Sequence, residues 1–173
     1  MAWIVARHQA IAIAVMLAAL TTATVGAHAE PAAALEIEIR DDAETAPRVV
    51  RLDRAAMDEL PQTDFVTTTI WTEGPQHFRG VALSALLAHL GLEARELDLM
   101  AVNDYVVTLP AEAIGPEYPV IAHQRNGAPM ALRDKGPFWL LYDYDADPAF
   151  RTEITYVRSI WQLTRIIAYP VAP

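Results

Sequence analysis

Short runs of β-branched and aromatic residues, separated by turn residues and not by regular amphipathic helices, constrain this chain most. Such segments bury a face only by pairing into sheets that pack on something else. Residues 65–71 (Phe-Val-Thr-Thr-Thr-Ile-Trp) give the clearest predicted strand. Residues 35–39 alternate apolar and acidic, as a half-exposed strand does. Residues 49–52 predict a second strand, followed by a short helix through Leu60 that Asp53 caps and Pro61 closes. Residues 72–80 read as a loop. Residues 81–90 predict the main helix, with Val81, Leu83, Leu86, Leu87 and Leu90 on its buried face and Gly91 as its stop. Residues 97–102 and 105–109 predict strands joined at the turn-favouring pair Asn103-Asp104. Residues 111–114 allow at most one helical turn. Residues 120–124 and 130–132 flank Asn126-Gly127, the strongest hairpin signal in the chain. Residues 138–142 and 161–169 predict the last strands, with an acidic loop at 144–150. Strands outnumber helices and lack the one-helix-per-strand alternation of a doubly wound sheet. The expected fold class is therefore α+β, mostly β, in a single domain.

Residues 1–29 read as an export signal. Arg7 and His8 give a basic start, residues 10–20 are an unbroken apolar run, and Ala27-His28-Ala29 is a small-x-small cleavage pattern. Cleavage after Ala29 leaves residues 30–173 as the domain, placed in the periplasm and with no membrane insertion of its own. The competing reading is an uncleaved membrane anchor, which the short run disfavours. The chain has no cysteine. In an oxidising compartment that avoids stray crosslinks, and it removes every thiolate ligand and thiol nucleophile. The net charge is −9, and it becomes −10 without the leader, which carries Arg7 and no acid. That balance argues against nucleic acid as a partner. Lys135 is the only lysine beside twelve arginines.

Hydrolytic and metal chemistry find little support. Ser84 and Ser159 are the only serines, and neither lies in a G-x-S-x-G motif. His77, His89 and His123 lack ligand spacing, and His89 is explained by a helix C-terminus. Three segments place recognition groups where packing does not demand them. Residues 71–80 bring Trp71, Thr72, His77, Phe78 and Arg79 into one stretch, against a reading of Phe78 as core and Arg79 as solvated. Asn103, Asp104 and Tyr105 form a second group, against ordinary turn chemistry. Arg133, Lys135 and Gly136, ahead of Pro137, form an anion-competent loop, against a solvated hairpin end. In the strand at 138–142, Tyr142 is a pocket-lining candidate and Trp139 a core one.

These segments together resemble a known family. Residues 78–87 (Phe-Arg-Gly-Val-Ala-Leu-Ser-Ala-Leu-Leu), Asn103-Asp104-Tyr105 with Pro110 following, Asn126-Gly127-Ala128-Pro129-Met130, Gly136-Pro137 and Trp161-Gln162-Leu163 look like the oxidoreductase molybdopterin-binding domain of sulfite oxidases and their periplasmic relatives. The resemblance covers about residues 35–171. It implies a mostly-β fold holding a pterin cofactor in a surface cleft. In the family's enzymes molybdenum is bound by the pterin dithiolene and one protein cysteine. The corresponding segment here, about residues 67–71, reads Thr-Thr-Thr-Ile-Trp. A hydroxyl replaces a soft thiolate poorly on molybdenum. The chain therefore looks closer to a cysteine-less, signal-bearing branch of periplasmic pterin-binding proteins. That branch is associated with membrane-anchored signalling enzymes, such as those of cyclic di-GMP turnover, and is thought to report pterin occupancy to a periplasmic sensor domain. The resemblance implies a reduced pterin or relative as the ligand, no molybdenum and no catalysis. The alternatives are a divergent molybdopterin oxidoreductase and a cofactor-free interaction protein. A pterin edge carries two parallel N–H donors, which a carboxylate accepts side by side. Asp104 is the candidate acceptor. Trp71, Phe78 and Tyr105 are candidate faces for the ring, Arg133 and Lys135 for its tail, and His77 and Arg79 for the rim.

Overall fold

Side-chain alternation decides what each sheet face meets. The computed structural model describes residues 33–41 and 46–171. The export-signal reading of residues 1–29 lies outside the described residues. In chain order the strands are β1 (Ala34–Ile39), β2 (Arg48–Asp53), β3 (Thr63–Thr67), β4 (Gln76–Ala82), β5 (Ala94–Ala101), β6 (Val106–Pro110), β7 (Val120–Arg125), β8 (Ala128–Pro129), β9 (Trp139–Leu141) and β10 (Leu163–Pro170). The helices are α1 (Arg54–Asp58), α2 (Leu83–His89) and α3 (Glu153–Arg158). The α+β, mostly-β expectation holds.

One sheet runs β2-β1-β10-β5-β6, antiparallel except where β1 and β10 pair in parallel. Leu35, Ile37, Leu97, Leu99 and Ile166 put its inner face into an aliphatic core. Its outer face is polar. Glu36 bridges Arg51 and Arg165, each at 2.9 Å. Asp98 accepts from Thr108 at 2.7 Å and from Tyr169 at 3.0 Å. Pairs as exposed as these set register more than stability.

The second sheet runs β3-β4-β7-β8, and β9 also pairs with β7. Its central strands are covered on both sides. Ile121 and Leu140 face the aliphatic core, while Val120, Ala122, Trp139 and Leu141 face a second, aromatic cluster. That explains the continuous apolar run of 138–142, which alternation alone does not. Trp139 is core, fully buried, and its indole N–H donates to the Ser159 carbonyl at 3.2 Å.

Local signals at several ends are realised as expected. The Asp53 carboxylate accepts from the Ala56 N–H at 2.8 Å and caps α1. Gly91, at φ +64°, ends α2. Asn126 and Gly127 both have positive φ, the geometry of a tight hairpin turn between β7 and β8.

Other expectations change. The strand expected over 65–71 stops at Thr67, because the Asp145 carboxylate takes the Thr68 N–H at 2.7 Å and removes it from the ladder. The loop expected over 72–80 becomes strand from Gln76, where Phe78 pairs with Phe65 and His77 with Val66. Pairing of β4 with β7 extends through Val81 and Ala82, so α2 starts at Leu83 and not at Val81. The hairpin's return strand is Ala128–Pro129 instead of 130–132. Helix α3 falls where the patterning assigned no element. Thr152 caps it, its hydroxyl accepting from the Thr155 N–H at 3.2 Å.

His123 is buried, and its neighbours set the tautomer of the neutral ring. The Gln62 amide nitrogen donates to the carbonyls of Met57 and Leu60 at 2.7 and 2.8 Å. Its Oε1 must therefore accept from His123 Nε2, 3.0 Å away, and Nδ1 stays bare, buried and unpartnered. Burial lowers the His123 pKa. Asp58 and Asp64 pull it back up, while Arg79 and Arg54 push it further down.

Two predictions follow from this packing. A Cβ at Gly80 would overlap the Ile121 carbonyl and the Ala122 Cα. Gly80→Ala should cost on the order of 1–3 kcal/mol or more, read as a lower urea midpoint with unchanged slope. The unfolded chain protonates His123 near pH 6.5, above the folded protein. His123's contribution is therefore present above that pH and is lost as pH falls below it. Wild type should lose up to about 1.4 kcal/mol per pH unit there that His123→Gln does not lose, measured by urea unfolding from pH 7 to pH 5.

Candidate functional site

The ends of several elements meet around one ring. Trp71 follows β3 on a corner held by Asp145. That carboxylate accepts from the Thr68 N–H at 2.7 Å and the Thr68 hydroxyl at 2.8 Å, and Arg151 pairs with it at 2.6 Å. The Thr68 and Arg151 contacts lower the Asp145 pKa, so the clamp is charged at neutral pH. The Asp145 N–H in turn donates to the Thr67 hydroxyl at 3.2 Å. Thr69 accepts from the Trp71 N–H at 3.1 Å and pairs with the Thr72 hydroxyl at 2.8 Å. These bonds set the direction in which Trp71 leaves the sheet.

The Trp71 ring then meets four others edge-on. Trp139 lies at 5.8 Å, Tyr156 at 5.7 Å, Trp161 at 5.7 Å and Tyr144 at 6.2 Å between centroids. Such pairs add about 0.5–1.5 kcal/mol each beyond buried area. Tyr144 is anchored from below. Ser159 donates its hydroxyl proton to the Thr155 carbonyl at 2.7 Å, so Tyr144 is the donor in the 2.5 Å contact between Tyr144 and Ser159. Burial pushes the Tyr144 pKa up, keeping the phenol protonated.

Beside this cluster opens a cleft of about 680 Å³. Trp71 and Ile70 form one side. Asn103 and Tyr105, on the β5–β6 turn, form a second, and Glu153, Tyr156 and Val157 of α3 a third. Ala101 and the segment Ser159, Ile160 and Trp161 complete it. The walls are predominantly apolar and aromatic. Glu153 is the one acidic or basic residue in the lining.

Of the residues singled out from the sequence, Trp71, Asn103 and Tyr105 line this cleft. Lys135 reaches its wall from outside. Its Nζ lies 4.2 Å from the Trp161 ring and 5.5 Å from Trp139. Desolvation there, with Arg125 nearby, lowers the Lys135 pKa. Thr72 braces the Trp71 corner without lining the cleft.

The remaining candidates lie elsewhere. Phe78 is fully buried core, packed on Phe65 and Trp139. His77 and Arg79 point to the opposite side of β4, where Asp64 pairs with them at 3.1 and 2.9 Å. Asp104 adopts φ 63° and lines a separate hollow with Glu36, Arg51 and Arg165. Arg133 is solvated and 3.6 Å from Asp134. Gly136 is a packing requirement, since a Cβ there would overlap the Met130 carbonyl. Tyr142 is buried against Tyr144 and Phe150, and that burial pushes its pKa up to about 12.

Sequence reasoning missed Glu153, Tyr156, Val157 and Trp161 as a group. The available signal was Thr152 as a cap, followed by Glu153, Tyr156 and Val157 at i, i+3 and i+4 of one helical face. Among the described residues no group of three His, Asp or Glu is placed to hold a metal ion. Thr67 is fully buried, and its hydroxyl accepts from the Asp145 N–H. No protein-family model matches the chain, and no curated protein matches its sequence.

Asp145→Ala should release the Trp71 corner. Exchange of the Thr68 amide should accelerate by at least about tenfold, measured by hydrogen–deuterium exchange, while protection of the β1 and β10 amides stays unchanged.

Proposed function

We propose that this is a periplasmic pterin-binding protein of sulfite-oxidase-like fold that regulates a membrane-anchored signalling enzyme according to pterin occupancy. The observation that carries the binding reading is the cleft walled by Trp71, Tyr105, Tyr156 and Trp161. A flat heterocycle buries its faces against rings of this kind. The cleft's volume falls within the range of small-molecule sites, roughly 300–1,000 Å³. The residues therefore fit a bare pterin. They fit a molybdenum centre poorly, because the chain offers no thiolate and Thr67 is committed to the Asp145 corner. The export pattern at residues 1–29 and the motif order from Phe78 to Leu163 support the location and the regulatory role by resemblance.

Protein purified from a bacterial periplasm should release a fluorescent pterin on acid treatment and contain no stoichiometric molybdenum by elemental analysis. Stoichiometric molybdenum would instead favour a divergent oxidoreductase. Protein that carries nothing and has no affinity for pterins would leave a cofactor-free interaction module. Trp71→Ala should weaken pterin binding by at least about tenfold, or ~1.4 kcal/mol, in fluorescence titration of folded protein.

A further inference from the structure

The ionisable content of the cleft is unusually sparse, and it has one sign. Glu153 is the one acidic or basic side chain among the lining residues, and the rest of the wall is rings, aliphatic carbon and neutral polar groups. Glu153 is exposed and takes part in none of the ion pairs among the described residues. Arg158 lines an adjoining hollow with it, and Lys135 stands behind Trp161. A lone carboxylate beside aromatic faces repels anions and favours a ligand with a cationic or N–H-donor edge.

The backbone of α3 sets the side of the helix from which Glu153 projects. It shares a helical face with Tyr156 and Val157, which line the same cleft. The helix is held at both ends. The Thr152 hydroxyl accepts from the Thr155 N–H, and the Ser159 hydroxyl returns to the Thr155 carbonyl, where Tyr144 holds it. A ring laid against the wall of Trp71, Tyr156 and Trp161 therefore has the Glu153 carboxylate among its lining groups. Asp104, the acid expected from the sequence, lies on a different hollow whose basic residues are Arg51 and Arg165.

We infer that Glu153 is the residue that reads the donor edge of the bound ring, an assignment that rests on the ring-binding reading above. It selects a 2-amino-4-oxopteridine, whose ring N–H and exocyclic amine match the two carboxylate oxygens side by side, over the 2,4-dioxo ring that lacks the amine.

The test titrates wild type, Glu153→Gln and Asp104→Asn with biopterin and with lumazine, following tryptophan fluorescence, after circular dichroism confirms the fold. Wild type should prefer biopterin by at least about tenfold. Glu153→Gln should lose about tenfold or more in biopterin affinity while lumazine affinity changes little, so the preference collapses. Wild-type affinity and preference in Glu153→Gln overturn the assignment and leave ring binding standing. The same holds if the loss appears in Asp104→Asn instead. Wild type that binds neither ring overturns both the pterin reading and the assignment.

Discussion

The packing of Trp71 against Trp139, Tyr144, Tyr156 and Trp161 is the contact on which the rest of this structure depends. It ties the corner after β3 to the interior of the second sheet, to α3 and to the segment entering β10. Each of these is a short element with little stability of its own. Helix α3 has six residues and β9 has three. Lengths of that order do not persist in water without tertiary support. The ring cluster supplies that support, and the Asp145 clamp orients the residue at its centre.

A consequence is that the loops and turns lining the cleft are continuous with the core packing. Trp139 belongs wholly to the core, Trp71 is half-buried, and Trp161 is partly exposed. The aromatic cluster grades from core into cleft wall without a boundary. Under the proposed function, a ligand would meet a wall already formed. Under the proposed function, a ring pressed on Trp71 and Tyr156 would bear on groups that also hold α3. A protein that reports occupancy to a partner needs a coupling of that kind.

Much of the fold was legible in single residues. Asp53 as a cap, Gly91 as a helix stop and Asn126-Gly127 as a hairpin are local choices of dihedral angle and hydrogen bond, and each is realised. The illegible parts have a common cause. Thr68 has strong strand propensity, yet a carboxylate 77 residues away in the chain takes its N–H. His77 and Arg79 looked like rim groups because alternation was not visible across what read as a loop. Pairing with β3 turned them to the face where Asp64 waits. Lys135 drew notice as the only lysine, and its Nζ lies 4.2 Å from the Trp161 ring.

From its residues alone, this chain is committed to a β-rich domain without thiol chemistry, acidic, and punctuated by caps and turns. Those properties follow from composition and from interactions spanning four residues or fewer. The tertiary structure decided which aromatic rings gather and which acid stands among them. Trp71, Tyr105, Tyr156 and Trp161 come from distant parts of the chain. They share one cleft because the corner after β3, the β5–β6 turn, α3 and the segment entering β10 meet beside the aromatic cluster. Proximity of that kind arises from the closure of the whole core, which the spacing of residues along the chain does not specify.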